Sequence, residues 1–158
     1  MPRQKPGKSK QDVQTPPELL RAIERVFGVG GWVIDLAANE HNSVSLQWLG
    51  PGAYDPYENS LAVNWSMWSG DAFLNPPYAD ISPWVQKCLN TKRAGRIFAL
   101  VPAAVGSNWY REYVDGSAHV VALSPRVTFV GHRDPYPKDL ILAIYSAVRG
   151  GFSTWRWK

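Results

Sequence analysis

An α/β fold with a mostly parallel sheet is what this sequence predicts. Short apolar runs of strand length alternate with segments of helical periodicity, the pattern of helices packed on a parallel sheet. Apolar residues make up 45% of the 158 positions, enough for the core of one domain. Two of the apolar runs end in a polar side chain, Asp35 and Asn75, which places both at strand ends on one edge of the sheet, where such folds bind ligands.

Residues 1–13 read as a disordered basic arm and residues 14–158 as a single domain. The arm holds Arg3, Lys5, Lys8 and Lys10, and suits either a solvated tail or a phosphate-binding role. Thr15-Pro16-Pro17-Glu18 predicts a helix start, with Thr15 as N-cap, Pro16 in the first helical position and Glu18 closing a capping box. Leu19, Leu20, Ile23, Val26 and Phe27 follow at helical spacing, and Gly28 ends the helix. Trp32–Ala37 reads as a buried strand. Residues 39–70 show little periodicity beyond a short strand near Ser45–Leu49, and a loop of this length is functional or mobile. Ala72–Leu74 is a strand. Ser82 is expected to cap a helix with Pro83 in its first turn and Trp84, Val85, Cys88 and Leu89 on its inner face. Arg96–Val101 is a strand closed by Pro102, and Ser107 caps a helix through Tyr113 or Val114. His119–Leu123 is a strand that Val127–Val130 extends or follows. After the polar loop Gly131–Lys138, Leu140–Val148 gives the strongest strand signal in the chain. The end, residues 149–158, is basic and carries Trp155 and Trp157, with no element assigned.

The net charge of +4 favours a polyanionic partner weakly. Cys88 is the only cysteine, which excludes an intrachain disulfide and points to a reducing compartment. With only three His beside it, no zinc cluster or other metal site is expected. No apolar run approaches a membrane span and the start is no signal peptide, so a cytoplasmic protein without membrane attachment is expected. The eight Trp either fill the core or stack on a flat partner.

Asn75-Pro76-Pro77-Tyr78 carries the chemistry. Consecutive prolines fix φ and remove N–H donors, so the turn is stiff and presents acceptors. The side-chain oxygen of Asn75 and the carbonyl of Pro76 can take the two N–H bonds of a planar amine, localise its lone pair and stabilise the charge that grows on attack. Tyr78 offers a flat face to an extruded base. Asp35-Leu36-Ala37-Ala38 lacks the Gly-rich dinucleotide fingerprint. Its carboxylate can accept from a ligand ammonium or from neighbouring backbone. The start of the first helix suits a carboxylate guest.

Together these segments resemble the phage-type DNA N6-adenine methyltransferases, the Dam-like family of phages and prophages. The resemblance runs from Asp12 to Ala147. It is carried by Thr15-Pro16-Pro17-Glu18-Leu19, Ile34-Asp35-Leu36-Ala37-Ala38, Phe73-Leu74-Asn75-Pro76-Pro77-Tyr78, Leu100-Val101-Pro102-Ala103 with Asn108-Trp109-Tyr110, and Arg126-Val127-Thr128-Phe129 with Pro137 and Ile141–Tyr145. It implies a Rossmann-like class I methyltransferase fold with a seven-stranded sheet and an antiparallel final hairpin. It also implies site-specific methyl transfer from S-adenosylmethionine to N6 of adenine in duplex DNA, and a part in protecting phage DNA from restriction. Thr15, Pro16, Pro17, Asp35, Leu36, Ala37 and Asn75 are implied as cofactor contacts, and Asn75, Pro76, Pro77 and Tyr78 as the catalytic turn. The family commonly has Asp-Pro-Cys-Ala, an Arg, an acid and Asp-Gly-Leu where this chain has Asp35-Leu36-Ala37-Ala38, Ala104, Gly106 and Asn59-Ser60-Leu61. The last change leaves Asp55 and Asp71 as candidates for the adenosine end of the cofactor.

The short stretch between Asp35 and Asn75 leaves no room for a separate target-recognition domain, so recognition of flanking bases falls to loops 41–66, 104–109 and 131–138. Candidate DNA contacts are Ser107, Asn108, Arg126, Phe129, His132, Arg133 and Lys138, with Tyr136 adding an aromatic surface to the last loop. Two alternatives stay open. One is methylation of RNA or of a protein amide, and the other a DNA-binding module that keeps the fold but has lost turnover.

Overall fold

The computed structural model describes residues 13–158. The expected basic arm therefore lies, up to residue 12, outside the described residues. Three helices, α1 (Pro17–Phe27), α2 (Ser82–Asn90) and α3 (Asn108–Tyr113), pack on a six-stranded sheet. The strands are β1 (Ile34–Asp35), β2 (Ala72–Leu74), β3 (Ile97–Pro102), β4 (His119–Ser124), β5 (Leu140–Tyr145) and β6 (Phe152–Arg156). Their order is β1-β2-β3-β5-β4-β6. All run the same way except β5, which lies antiparallel between β3 and β4.

Side chains alternate across the sheet with a period of two. Ile34, Ala72, Leu74, Ile97, Ala99 and Val101 face α2 and α3, where Val85, Cys88, Tyr110 and Val114 are buried. Phe73, Phe98, Leu100, Leu140 and Leu142 face α1, through Leu19, Ala22 and Ile23. Both faces are covered, which is why β3 and β5 are buried at every position and read as unbroken apolar runs. Several Trp fill this core: Trp65 is fully buried, and Trp32 sits edge-on, 5.3 Å from both Phe73 and Phe98.

Several sequence expectations are corrected. The seven strands implied by resemblance are six among the described residues, where the chain from residue 36 to 71 forms loops and two short 3-10 turns, Ser60–Ala62 and Trp65–Met67. The strand expected at Ser45–Leu49 is a single bridge, Trp48 to Asp35. Thr15 does not cap α1. The helix starts at Pro17, Pro16 holds the cap position, and Thr15 is buried against the site described below. Ser82 lies inside α2, with Ile81 at its cap, whereas Ser107 caps α3 as expected, accepting from the Tyr110 N–H at 3.3 Å. Val127–Val130 is not a strand: β5 and β6 already occupy both edges of β4, and Val127 and Val130 pair instead with Tyr136 and Gln14. The antiparallel strand does not end the sheet. The basic, Trp-rich end forms β6 parallel to β4, with Trp155 edge-on to Phe27 at 5.6 Å.

One polar clamp secures the entry to β2 and β3. Arg96 donates to both oxygens of Asp71, at 2.8 and 2.7 Å, and to the Phe27 carbonyl at 2.8 Å, while its guanidinium lies over Phe98. The paired guanidinium holds the Asp71 carboxyl below its usual range. The clamp is partly solvated, so Asp71→Asn is expected to lower stability by about 1–2 kcal/mol. That contribution is present above the usual carboxylate pKa and fades as pH falls through the lowered one. Urea denaturation of both proteins measures it.

Candidate functional site

Strands β1 and β2 run parallel with Asp35 beside Phe73, so the residues that follow each strand emerge on one edge of the sheet. On that edge β2 runs straight into Asn75-Pro76-Pro77-Tyr78. The Asn75 amide donates through Nδ2 to Thr15 Oγ1 at 3.5 Å, and Thr15 is only 2% exposed. The Asn75 Oδ1 is buried and, among the described residues, has no hydrogen-bond partner. An orphan acceptor of this kind costs about 1–3 kcal/mol and calls for a functional account. Tyr78 donates its hydroxyl to the Leu100 carbonyl at 3.1 Å, and its ring meets Tyr136 edge-on at 5.6 Å. Burial raises the Tyr78 phenol well above its ordinary pKa, so it remains a neutral donor.

Next to the turn lies a cavity of about 280 Å³, lined by the loop after β1, residues 58–61, Asn75, Pro77 and Trp84. Asp35 shapes this wall from behind. Its two oxygens accept from the Ala37 and Val44 N–H groups at 3.2 and 3.0 Å, pinning the loop as it leaves β1. Burial outweighs those two bonds and pushes the carboxyl up to about 7. Gly50 lets a second segment close in, since a Cβ there would stand 2.1 Å from the Ala38 carbonyl oxygen. Residues 59–61 are fixed from both sides. Ser60 Oγ donates to the Leu36 carbonyl at 2.5 Å, and Trp65 Nε1 donates to the Ser60 carbonyl at 3.0 Å. Lys87 reaches over from α2 to the Leu61 carbonyl at 2.8 Å. Trp84 stacks on Trp65 at 6.3 Å, so the apolar wall is rigid as well.

Of the residues expected to hold a cofactor, Ala37 and Asn75 line this cavity. Thr15 touches Asn75, while Pro16 and Pro17 form the start of α1. Asp35 and Leu36 are buried and lie outside the lining. Asp71 is committed to Arg96, and Asp55 is exposed and also outside the lining. Beside Asn75, the polar side chains that line it are Asn39, Asn42, Glu58, Asn59 and Ser60. Glu58 went unnoticed in the sequence. The one signal for it was a polar, Asn-rich stretch without periodicity between two strands.

The expected DNA contacts divide. Ser107 is spent on helix α3, also donating to the Ala104 carbonyl at 2.7 Å, and exposed Asn108 accepts from Arg111. Arg126 is exposed but paired with Asp139 at 2.9 Å. Phe129 is 3% exposed and packs edge-on against Tyr136. His132, Arg133 and Lys138 are exposed, and among the described residues their side chains make no ion pair or hydrogen bond.

Fold and site define an α/β domain whose parallel strands open onto a ligand-sized cavity beside a stiff, acceptor-bearing turn. Residues 4–139 match the family DNA N-6-adenine-methyltransferase (Dam). The match covers most of the chain, which therefore belongs to this family of DNA adenine methyltransferases. No curated protein matches the sequence significantly. Among the described residues no helix is long and apolar enough to cross a membrane.

Proposed function

We propose that this chain transfers the methyl group of S-adenosylmethionine to the N6 amino nitrogen of adenine at a recognition sequence in DNA, on a Rossmann-like class I methyltransferase fold. The observation that carries this is Asn75, which lines the cavity and whose buried Oδ1 has no hydrogen-bond partner among the described residues. An amine N–H satisfies it.

The cavity fits the cofactor by size and by chemistry. Its volume of about 280 Å³ stands just under the range for small-molecule sites, roughly 300–1,000 Å³. Glu58 and Asn59 suit hydroxyl and ammonium groups, and Leu49 and Trp84 suit a flat ring. When bound, S-adenosylmethionine supplies an electrophilic methyl group. The chain's own part is to orient the amine. Asn75 Oδ1 accepts one of its N–H bonds and the Pro76 carbonyl the other, which localises the nitrogen lone pair and stabilises developing positive charge. The hydroxyl bond to Leu100 fixes the Tyr78 ring as a face for the extruded base.

Incubation with methyl-labelled S-adenosylmethionine and duplex DNA is expected to place label in N6-methyladenine. Label confined to cytosine, RNA or protein rules the proposal out. Calorimetry separates it from a DNA-binding module without turnover, which binds DNA but not the cofactor. Glu58→Gln is expected to weaken cofactor binding about tenfold, because a charged acceptor becomes a neutral one. An unchanged calorimetric Kd removes Glu58 from the site.

A further inference from the structure

A second cavity, of about 630 Å³, lies on the opposite edge of the sheet from the catalytic turn, where β3 and β4 begin. Strand β5 runs antiparallel to both, so its end brings residues 145–149 to the same place. The six residues of β3 separate the two edges by about 20 Å, too far for one small guest to touch both.

The lining collects charge of one sign. Lys92, Arg93 and Arg149 line the cavity with Asn90 and Ser117, and among the described residues no Asp or Glu joins them. The other two ionisable groups in the lining are neutral. Burial pushes the Cys88 thiol and the Tyr145 phenol up, and Tyr145 donates to the Tyr113 carbonyl at 2.8 Å. The C-terminal end of α2 brings partial negative charge, roughly half a unit. Thr91 covers part of it, donating its N–H and its hydroxyl to the Lys87 carbonyl at 2.9 and 2.7 Å. Three full positive charges outweigh what remains.

Arg93 shows what is missing. It is half-buried, and its terminal nitrogens donate only to carbonyls, those of Arg96 at 2.9 Å and Trp68 at 2.5 Å. Its Nε is buried and, among the described residues, has no hydrogen-bond partner. Asp71 acts on it only from a distance, because that carboxylate is bonded to Arg96. A half-buried cation without a carboxylate in contact is costly, and an anion in the adjoining cavity offsets that cost. Lys92 and Arg149 are exposed and, among the described residues, make no ion pair. An ammonium, a guanidinium fork, a hydroxyl and an amide can each donate to a separate oxygen. A phosphate supplies that many acceptors, whereas a carboxylate has two oxygens.

We propose that this cavity is a phosphate site, separate from the methyl-transfer cavity. Free phosphate and a DNA backbone present the same group, and the site recognises that group. The proposal stands whether or not the chain methylates adenine.

The test uses the full chain without S-adenosylmethionine. Calorimetry follows inorganic phosphate at constant ionic strength, with acetate as the carboxylate control. A duplex of G·C pairs alone, which holds no adenine, supplies backbone phosphate. Lys92→Ala/Arg149→Ala removes two exposed cations of the cavity. Arg21→Ala removes an exposed cation of α1 that lies outside it. Phosphate is expected to bind saturably and more tightly than acetate. The double variant is expected to weaken it about tenfold, and Arg21→Ala to leave it unchanged. If the guest is backbone phosphate, the double variant instead weakens duplex binding and reduces the slope of log K against log salt by about two, again without effect from Arg21→Ala. Equal losses in Arg21→Ala, or acetate binding as tightly as phosphate, overturn the proposal. So does a double variant that binds both phosphate and duplex as the wild type does.

Discussion

Asn75→Ala is expected to lower adenine methylation about a hundred- to a thousandfold, the usual effect of deleting one preorganised group that stabilises transition-state charge. The same substitution is expected to leave the melting temperature unchanged or slightly raised. Deleting a buried polar group normally strands its partner, but among the described residues Oδ1 has none, and the Nδ2 bond to Thr15 is long at 3.5 Å. The variant sheds an unsatisfied acceptor, which costs about 1–3 kcal/mol when buried. Loss of activity with stability retained marks Asn75 as a group kept for chemistry at the expense of the fold. A variant that loses both together makes it a structural residue, and one that keeps its activity removes it from the catalytic turn. Calorimetric melting beside the methylation assay reads both quantities.

Asp35→Asn is expected to flatten a pH dependence of stability between about pH 4 and pH 7. The carboxyl titrates near 3.8 when free and is pushed up to about 7 in the fold, with burial as the main cause. Between those values the folded protein keeps a proton that the unfolded chain has released, so raising the pH favours unfolding. The penalty is absent below the lower value, grows across the window and is complete above the upper one, where it reaches on the order of 4 kcal/mol. Asn does not titrate, so its slope across the window is expected to vanish. The Asp71–Arg96 clamp does not mask this, because its carboxyl is held below the usual range and titrates under the window. Urea midpoints at about pH 4 and pH 7 decide it, and an equal slope in both proteins refutes the role given to Asp35. The effect bears on the site because the same carboxylate fastens the Ala37 and Val44 backbone behind the cavity.

The parts of the fold legible in the sequence are those whose cause is local. Strand Ala72–Leu74 and the inner face of α2, Val85 and Cys88, follow from runs and spacing that need no knowledge of neighbours. Ser107 as a helix cap follows from a hydroxyl three residues before the N–H it accepts from. Thr15 shows where this kind of inference fails. A Thr before two prolines has the composition of a cap, yet the helix begins after it and its hydroxyl meets Asn75 instead. Strand β6 was equally hidden, since Phe152, Ser153 and Thr154 stay exposed and only Trp155 and Trp157 pack inward, leaving no apolar run to read.

By itself the sequence determined an α/β alternation, a stiff turn that presents acceptors, and a polar loop between the first two strands. Each depends on bond geometry or on residues within a few positions of one another. Tertiary structure alone decided that Asp35 would anchor backbone outside the cavity, that Glu58 and Asn59 would line it, and that Tyr136 would stand between Tyr78 and Phe129. Those arrangements join positions far apart in the chain, and packing between distant segments leaves no periodic trace in either segment.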